Sequence, residues 1–146
     1  MTGTHVSVEA MAAAYAAQAV EAARAFGAGL DYSEDSLKEL ENILSRLQKR
    51  SEGNSTQEEL DETCKMWGSY LGEVVRRRFG GTWSIETYPG KRFATLTLSV
   101  GGSKLFPSMK VHRRLTQGES DDVWTFYKMV KARLEASPQA GSALIQ

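Results

Sequence analysis

The chain is poor in the residues from which chemical sites are most often built. Among its 146 residues there is one cysteine, Cys64, and there are two histidines, His5 and His112. A single thiol cannot close an intramolecular disulfide, so nothing points to an oxidising compartment. The histidines lie far apart with no metal-ligand spacing around them, and no metal is expected. Long apolar runs are also missing. No window approaches the roughly 20 apolar residues that span a bilayer. The alanine-rich opening lacks the basic start of a signal peptide and carries Glu9, Glu21 and Arg24 where that peptide would be apolar. The chain reads as cytoplasmic, with no membrane partner. Neither glycine pair, at 80–81 or 101–102, has a lysine at the offset of a phosphate loop, so no nucleotide cofactor is expected. Cys64 falls within an apolar helical stripe, where a reactive thiolate is disfavoured. With no catalytic constellation, cofactor or internal repeat in view, the expectation is a protein that is not an enzyme.

Net charge is missing as well, since 18 basic residues balance 18 acidic ones. The balance conceals a division. Residues 1–73 hold 13 acids and 6 bases, whereas residues 74–146 hold 12 bases and 5 acids. Between Arg76 and Arg114, nine lysines and arginines face Glu86 alone. Such a block attracts acidic or phosphate-rich partners, or it docks against the chain's own acidic helices.

What is present is ordinary globular material. The length fits one domain with one core, expected over residues 1–136, with 137–146 as a flexible tail. The segment VEAMAAAYAAQAVEAARAF forms a first helix, about 8–26, ending at Gly27. Its stripe of Val8, Met11, Tyr15, Ala19, Ala22 and Phe26 has small residues in the middle, so something can pack closely there: another helix of the domain, or a second copy in a homodimer. Ser33 caps a second helix carrying Leu37, Leu40, Leu44 and Leu47 on one face. Thr56 and Glu59 make a capping box for a third helix, with Leu60, Cys64, Trp67, Leu71 and Val74 as its buried stripe. Gly68 and Gly72 interrupt that helix one turn apart, each at a cost of about 1 kcal/mol in helix propensity, which close approach of another backbone would offset.

The period then changes from 3.6 to 2. TWSIETY, RFATLTLSV and SKLF read as three antiparallel strands joined by YPGK and GG turns. Trp83 with Ile85, and Ala94, Leu96, Leu98 and Val100, form the core side, leaving Phe93, Thr95, Thr97 and Ser99 largely wet. The segment 108–116 is ambiguous between helix and strand. A last helix follows Ser120, Asp121 and Asp122, with Val123, Phe126, Tyr127, Val130 and Leu134 on its core face. The fold class is α+β: three N-terminal helices, an antiparallel three-stranded sheet and a C-terminal helix packed on the sheet.

The candidate binding residues come from the basic block. Arg76, Arg77 and Arg78 end the third helix, and three consecutive helical side chains fan over about 200°. They cannot all hold one ligand. Arg78 lies on the apolar stripe, where its stem can pack while its head pairs with a carboxylate. Arg76 faces away, and Arg77 lies on the side of Met66 and Tyr70. Arg76 and Arg77 are expected as solvated cations complementing the helix dipole. Lys110, His112, Arg113 and Arg114 form a second cluster. With Trp83, Tyr88 and Phe93 it makes an aromatic and basic surface of the sort that takes single-stranded nucleic acid.

The runs WGSYLGEVVRRRFGGTW and LFPSMKVHRRLTQGESDDVWTFY resemble small bacterial proteins grouped as a domain of unknown function. Over about residues 30–135 the resemblance takes in a glycine-containing helix entering an arginine-rich end, a Gly-Trp strand start and a Phe-Pro segment leading to an acidic helix cap. The first helix lies outside it. It implies a stand-alone cytoplasmic domain and no particular chemistry. The functional expectation is a non-catalytic protein-interaction module, of a regulatory or immunity type, using the basic surface of residues 76–114. The alternative is binding of nucleic acid or another polyanion through the same region.

Overall fold

The computed structural model describes residues 7–51, 56–136 and 143–145. Helix α1 (Val8–Ala23) opens with Ser7, whose hydroxyl accepts the Ala10 amide at 3.0 Å. A short 3-10 turn over Arg24–Phe26 ends at Gly27, in the left-handed conformation. Helix α2 (Ser36–Ser51) follows a turn in which the Ser33 hydroxyl accepts the Ser36 amide at 3.2 Å. Helix α3 (Gln57–Phe79) begins with the reciprocal Thr56–Glu59 capping box that its sequence predicts.

Helix α3 is the central element. Its Cys64, Trp67, Tyr70, Leu71, Val74 and Val75 are buried. Against it α1 presents Ala12, Ala16, Ala19 and Ala23, all fully buried, with Val8, Met11, Tyr15 and Phe26 packed around them. Small side chains let the two helix axes approach closely; the face that a helix of the same domain covers is rotated from the expected stripe, of which Ala19 alone is fully buried. The glycines of α3 serve the same end. A Cβ on Gly68 would lie 2.5 Å from the Ser108 Cα, and one on Gly72 would lie 2.2 Å from Cη2 of Trp83. The close approach expected of both glycines is there, with a backbone at Gly68 and an indole ring at Gly72.

Strands β1 (Thr82–Thr87), β2 (Ala94–Val100) and β3 (Ser103–Leu105) form the antiparallel meander. Trp83 pairs with Leu98 and Ile85 with Leu96 across the first ladder. The β2–β3 turn is Gly101–Gly102 with φ of 56° and 78°, a conformation open to glycine without strain. Three strand expectations are corrected. Ile85 is 50% exposed and Ala94 is exposed too, both toward the turn end of the β1–β2 ladder, whereas Trp83 and Leu98 at its other end are buried. Thr97, expected to be wet, is fully buried, with its hydroxyl returned to the Thr95 carbonyl at 3.0 Å.

The ambiguous segment is helical: α4 runs Pro107–Gln117 with Pro107 at the first turn, where its fixed φ and missing N–H suit a helix start. After a 3-10 turn over Glu119–Asp121, α5 (Val123–Ala136) buries Val123, Phe126, Tyr127, Val130 and Leu134, the face its periodicity predicts. Helices α3 and α4 lie against β2, α1 touches β1, and α5 follows the sheet and rests mainly on α2 and α4. Residues Ala143–Ile145, within the stretch expected as a tail, form β4, parallel to β3 at the sheet edge. The rest of that stretch lies outside the described residues. The buried apolar side chains of all five helices and of β1–β3 make one core cluster.

Candidate functional site

The three arginines divide, though not as the helical fan predicts. Arg76, with 37% of its side chain exposed, is ion-paired as well as solvated: its Nε and Nη2 donate to the two carboxylate oxygens of Glu73 at 2.7 and 3.0 Å. Glu73 has only 3% of its side chain exposed, and its Oε2 also accepts the Trp83 indole N–H at 2.8 Å. Arg77 adds a second cationic neighbour, with Nε 3.7 Å from Glu73 Oε1. Its guanidinium lies 3.5 Å above the ring of Tyr32. Arg78 turns elsewhere, to Glu135 at 3.2 Å and Glu34 at 3.8 Å, with its guanidinium over Phe79. Arg76 and Arg77 reach solvent as expected, 37% and 49% exposed, and in addition both pair with Glu73. A carboxylate three and four positions back on the same helix reaches both, and burial of Glu73 makes their charges necessary. Burial alone would push the Glu73 carboxyl upward. The hydrogen bonds from Arg76 and Trp83, with the charges of Arg76 and Arg77, outweigh it and hold the group below its ordinary value.

The second cluster is the more deeply buried. Arg114 is fully buried; its Nε donates to Glu41 at 2.8 Å and its Nη1 to Gln48 Oε1 at 2.6 Å, while Nη2 has no partner among the described residues. The other oxygen of Glu41 accepts the Val123 amide at 3.1 Å, so one carboxylate fastens α4 and the start of α5 to α2. Lys110, 8% exposed, meets Asp121 at 3.1 Å and lies over the Phe126 ring. Arg113 approaches Asp121 at 3.4 Å and donates to the Tyr88 hydroxyl at 2.7 Å. Glu34, Glu41 and Glu73 of the acidic half meet Arg76, Arg77, Arg78, Arg114 and Lys131 of the basic half, while Lys110 and Arg113 pair with Asp121 within their own half. Trp83, 3% exposed, is a core side chain with a bonded indole, unavailable for stacking on a base.

His112 is the exception among the predicted residues. It lines a groove of about 600 Å³ between the N-terminal half of α3, the turn joining β1 to β2 and the start of α4. Asp61, Cys64 and Lys65 come from α3, Lys91 and Phe93 from the turn, and Ser108, Met109 and His112 from α4. Phe93 stands at its rim, 45% exposed and stacked on Tyr88 with ring centroids 5.8 Å apart. Cys64 is no nucleophile here: burial, and secondarily the nearby Asp61 charge, push its thiol up to about 12. Lys65 is held by Glu62 at 3.2 Å, and Asp61 accepts from Gln57 at 2.9 Å. Lys91 and Arg92 form no ion pair among the described residues. Among those residues, no three His, Cys, Asp or Glu side chains are grouped to hold a metal ion, and no helix is long and apolar enough to cross a membrane.

Sequence reasoning missed Glu73, Glu41 and the groove. Glu73 had a legible signal in its spacing from Arg76 and Arg77. The groove had none, being assembled from three segments distant in the chain.

No curated protein and no solved structure matches the chain. Residues 14–131 match the model of one protein family, described as "Uncharacterised protein YwmA". The match begins inside α1, so the first helix, outside the resemblance read from the sequence, belongs in large part to the shared region. Covering most of the chain, from α1 into α5, it places this protein in that family.

Proposed function

We propose that the chain is a non-catalytic protein-recognition module whose docking face is the groove between α3, the β1–β2 turn and α4. Phe93 carries the reading. A phenylalanine left 45% exposed at the lip of a groove of about 600 Å³ is the kind of aromatic anchor around which protein contacts concentrate. Met109 and Ala94 extend the apolar lining, and Lys91 and His112 supply charge and polarity at its edge. Of the basic block between residues 76 and 114, these two reach this face; the arginines of both clusters are engaged within the fold. A small cytoplasmic module of this shape acts by occupying its partner, as a regulator or an immunity-type inhibitor does. A second copy docked through α1 is disfavoured, because the alanine face of that helix is covered by α3.

The test is site-directed photo-crosslinking in the native cell. A benzoylphenylalanine at position 93 is expected to give a discrete conjugate with one companion protein, while the same group at Met129, 51% exposed on α5, gives none of that species. Absence of any conjugate at 93, or the same products from both positions, contradicts the reading.

A further inference from the structure

Strand β2 keeps an open edge where it enters the groove. In the β1–β2 hairpin the Tyr88 amide donates to the Phe93 carbonyl at 3.0 Å, which fixes the alternation of the ladder. Phe93, Thr95, Thr97 and Ser99 turn their backbone groups toward β1, and Ala94, Leu96, Leu98 and Val100 turn theirs toward β3. Strand β3 answers Leu98 and Val100 through Leu105 and Ser103, and there it stops. Continued in register, it would set Pro107 opposite Leu96 and Met109 opposite Ala94. The chain instead turns into α4 and sinks onto α3, with the Ser108 backbone against Gly68 and the Pro107 ring against Gly72. The N–H and C=O of Ala94 and of Leu96 therefore make no hydrogen bond to the described residues. Leu96 is only 6% exposed, which leaves water a poor substitute for a strand. Ala94 and Thr95 line the groove, so this unpaired length of β2 is one of its walls. The charge beside it is unanswered too. Lys91 lines the groove and Arg92 adjoins it in the turn before β2, and neither has an acidic partner among the described residues. Asp61, the one acid of the lining, is bonded to Gln57.

We propose that the groove receives its partner by strand addition: an extended, acidic segment of the partner protein pairs with β2 at Ala94 and Leu96, in the line that β3 leaves, with apolar side chains alternating between the acids. This rests on the recognition reading above and specifies the segment recognised. Backbone bonds to Ala94 and Leu96 supply affinity. Side chains opposite these two residues share their face of the sheet, toward the apolar lining of Cys64 and Met109. The acids of the segment are met by Lys91 and Arg92. A nucleic acid would answer the two cations but brings no ladder of amides and carbonyls to the β2 edge, which favours the peptide.

The experiment is an NMR titration of the full chain with an acetylated, amidated hexapeptide that alternates valine with glutamate. One control peptide is N-methylated at its valines, which keeps charge and side chains and removes the pairing donors; another carries lysine in place of glutamate. The glutamate peptide is expected to shift the amides of Ala94, Thr95 and Leu96 saturably and to show an Hα–Hα contact with Thr95, the close approach of an antiparallel partner between ladder bonds. N-methylation is expected to weaken it about tenfold, as befits the loss of two ladder bonds. The lysine peptide leaves those amides in place, and in the double variant Lys91→Glu, Arg92→Glu the preference between the two charges reverses. No saturable response to the glutamate peptide, equal binding of its N-methylated form, or an unreversed preference overturns the proposal. A companion that crosslinks at position 93 without slowing hydrogen exchange at the Ala94 and Leu96 amides leaves the recognition reading standing and overturns strand addition.

Discussion

Trp83 donates its indole N–H to Glu73 across 2.8 Å, joining the first strand to the helix that precedes it. The bond crosses the Gly80–Gly81 link, so it sets the angle at which the sheet leaves α3. The same carboxylate takes both bonds from Arg76. Removing it strands a buried indole donor and two guanidinium groups gathered for it. Glu73→Ala is expected to cost about 3 kcal/mol in chemical denaturation, and Arg76→Ala clearly less, because Arg77 and Trp83 continue to serve Glu73. Equal costs for the two variants would show that the carboxylate is not the centre of the network.

Acid should weaken the fold through the same groups. Glu73, Glu34 and Asp121 all have carboxyls held below their ordinary values of 4.5, 4.5 and 3.8. For Glu34 the leading cause is the hydrogen bond from Tyr127. For Asp121, burial acts upward and is outweighed by the bonds and charges of Lys110 and Arg113. A carboxyl depressed in the folded state contributes its full stabilisation above the unfolded pKa and loses it as pH falls through the folded one. The melting temperature is therefore expected to be level near neutrality and to fall steadily below about pH 4.5. The difference between the native chain and Glu73→Gln should shrink over that same acid range, and a difference that stays constant to pH 3 would contradict the assignment.

The helix glycines give a test free of charge. Gly68→Ala and Gly72→Ala each gain about 1 kcal/mol of helix propensity. Each also places a methyl where Ser108 backbone or the Trp83 ring already stands, at 2.5 and 2.2 Å. Overpacking of that kind costs about 1–3 kcal/mol and occasionally more, and it should win at both sites. Gly68→Ala is expected to be the worse of the two, because a backbone yields less than a ring edge. Calorimetric melting would expose a net gain at either position as a contradiction.

Arg114 separates charge from packing. Arg114→Ala leaves Glu41 and Gln48 facing an emptied site, and a loss of about 3 kcal/mol or more is expected. Arg114→Met refills the volume without the charge and should restore part of that loss. Refolding measurements that rank the two variants equally would assign the whole effect to the ion pair.

The sequence was most legible where one local rule decided the outcome. The Thr56–Glu59 capping box, the α5 face from Val123 to Leu134 and the GG turn are each set by neighbours within a few positions. The segment 108–116 was illegible because Met109, Val111 and Leu115 satisfy either period, and only Pro107 at a helix start tips the balance. Arg76 misled for a different reason. Its direction on the helix was right, but a long side chain can bend back one turn to a carboxylate that periodicity treats as a polar residue on an apolar helix. His112 was singled out as one member of a basic cluster of four. Its neighbours turned inward to Glu41 and Asp121, and it alone reached the groove, a distinction made by tertiary contacts beyond the helix itself.

The account places recognition on the groove and assigns the arginines to the scaffold. Both halves are tested at once by measuring how tightly the companion crosslinked at position 93 binds the native chain, Phe93→Glu and Arg77→Ala, each confirmed folded. The account predicts that Phe93→Glu weakens the complex at least tenfold, about 1.4 kcal/mol or more, and that Arg77→Ala leaves the dissociation constant within twofold or so of the native value. A complex that tolerates Phe93→Glu and is lost in Arg77→Ala would contradict it.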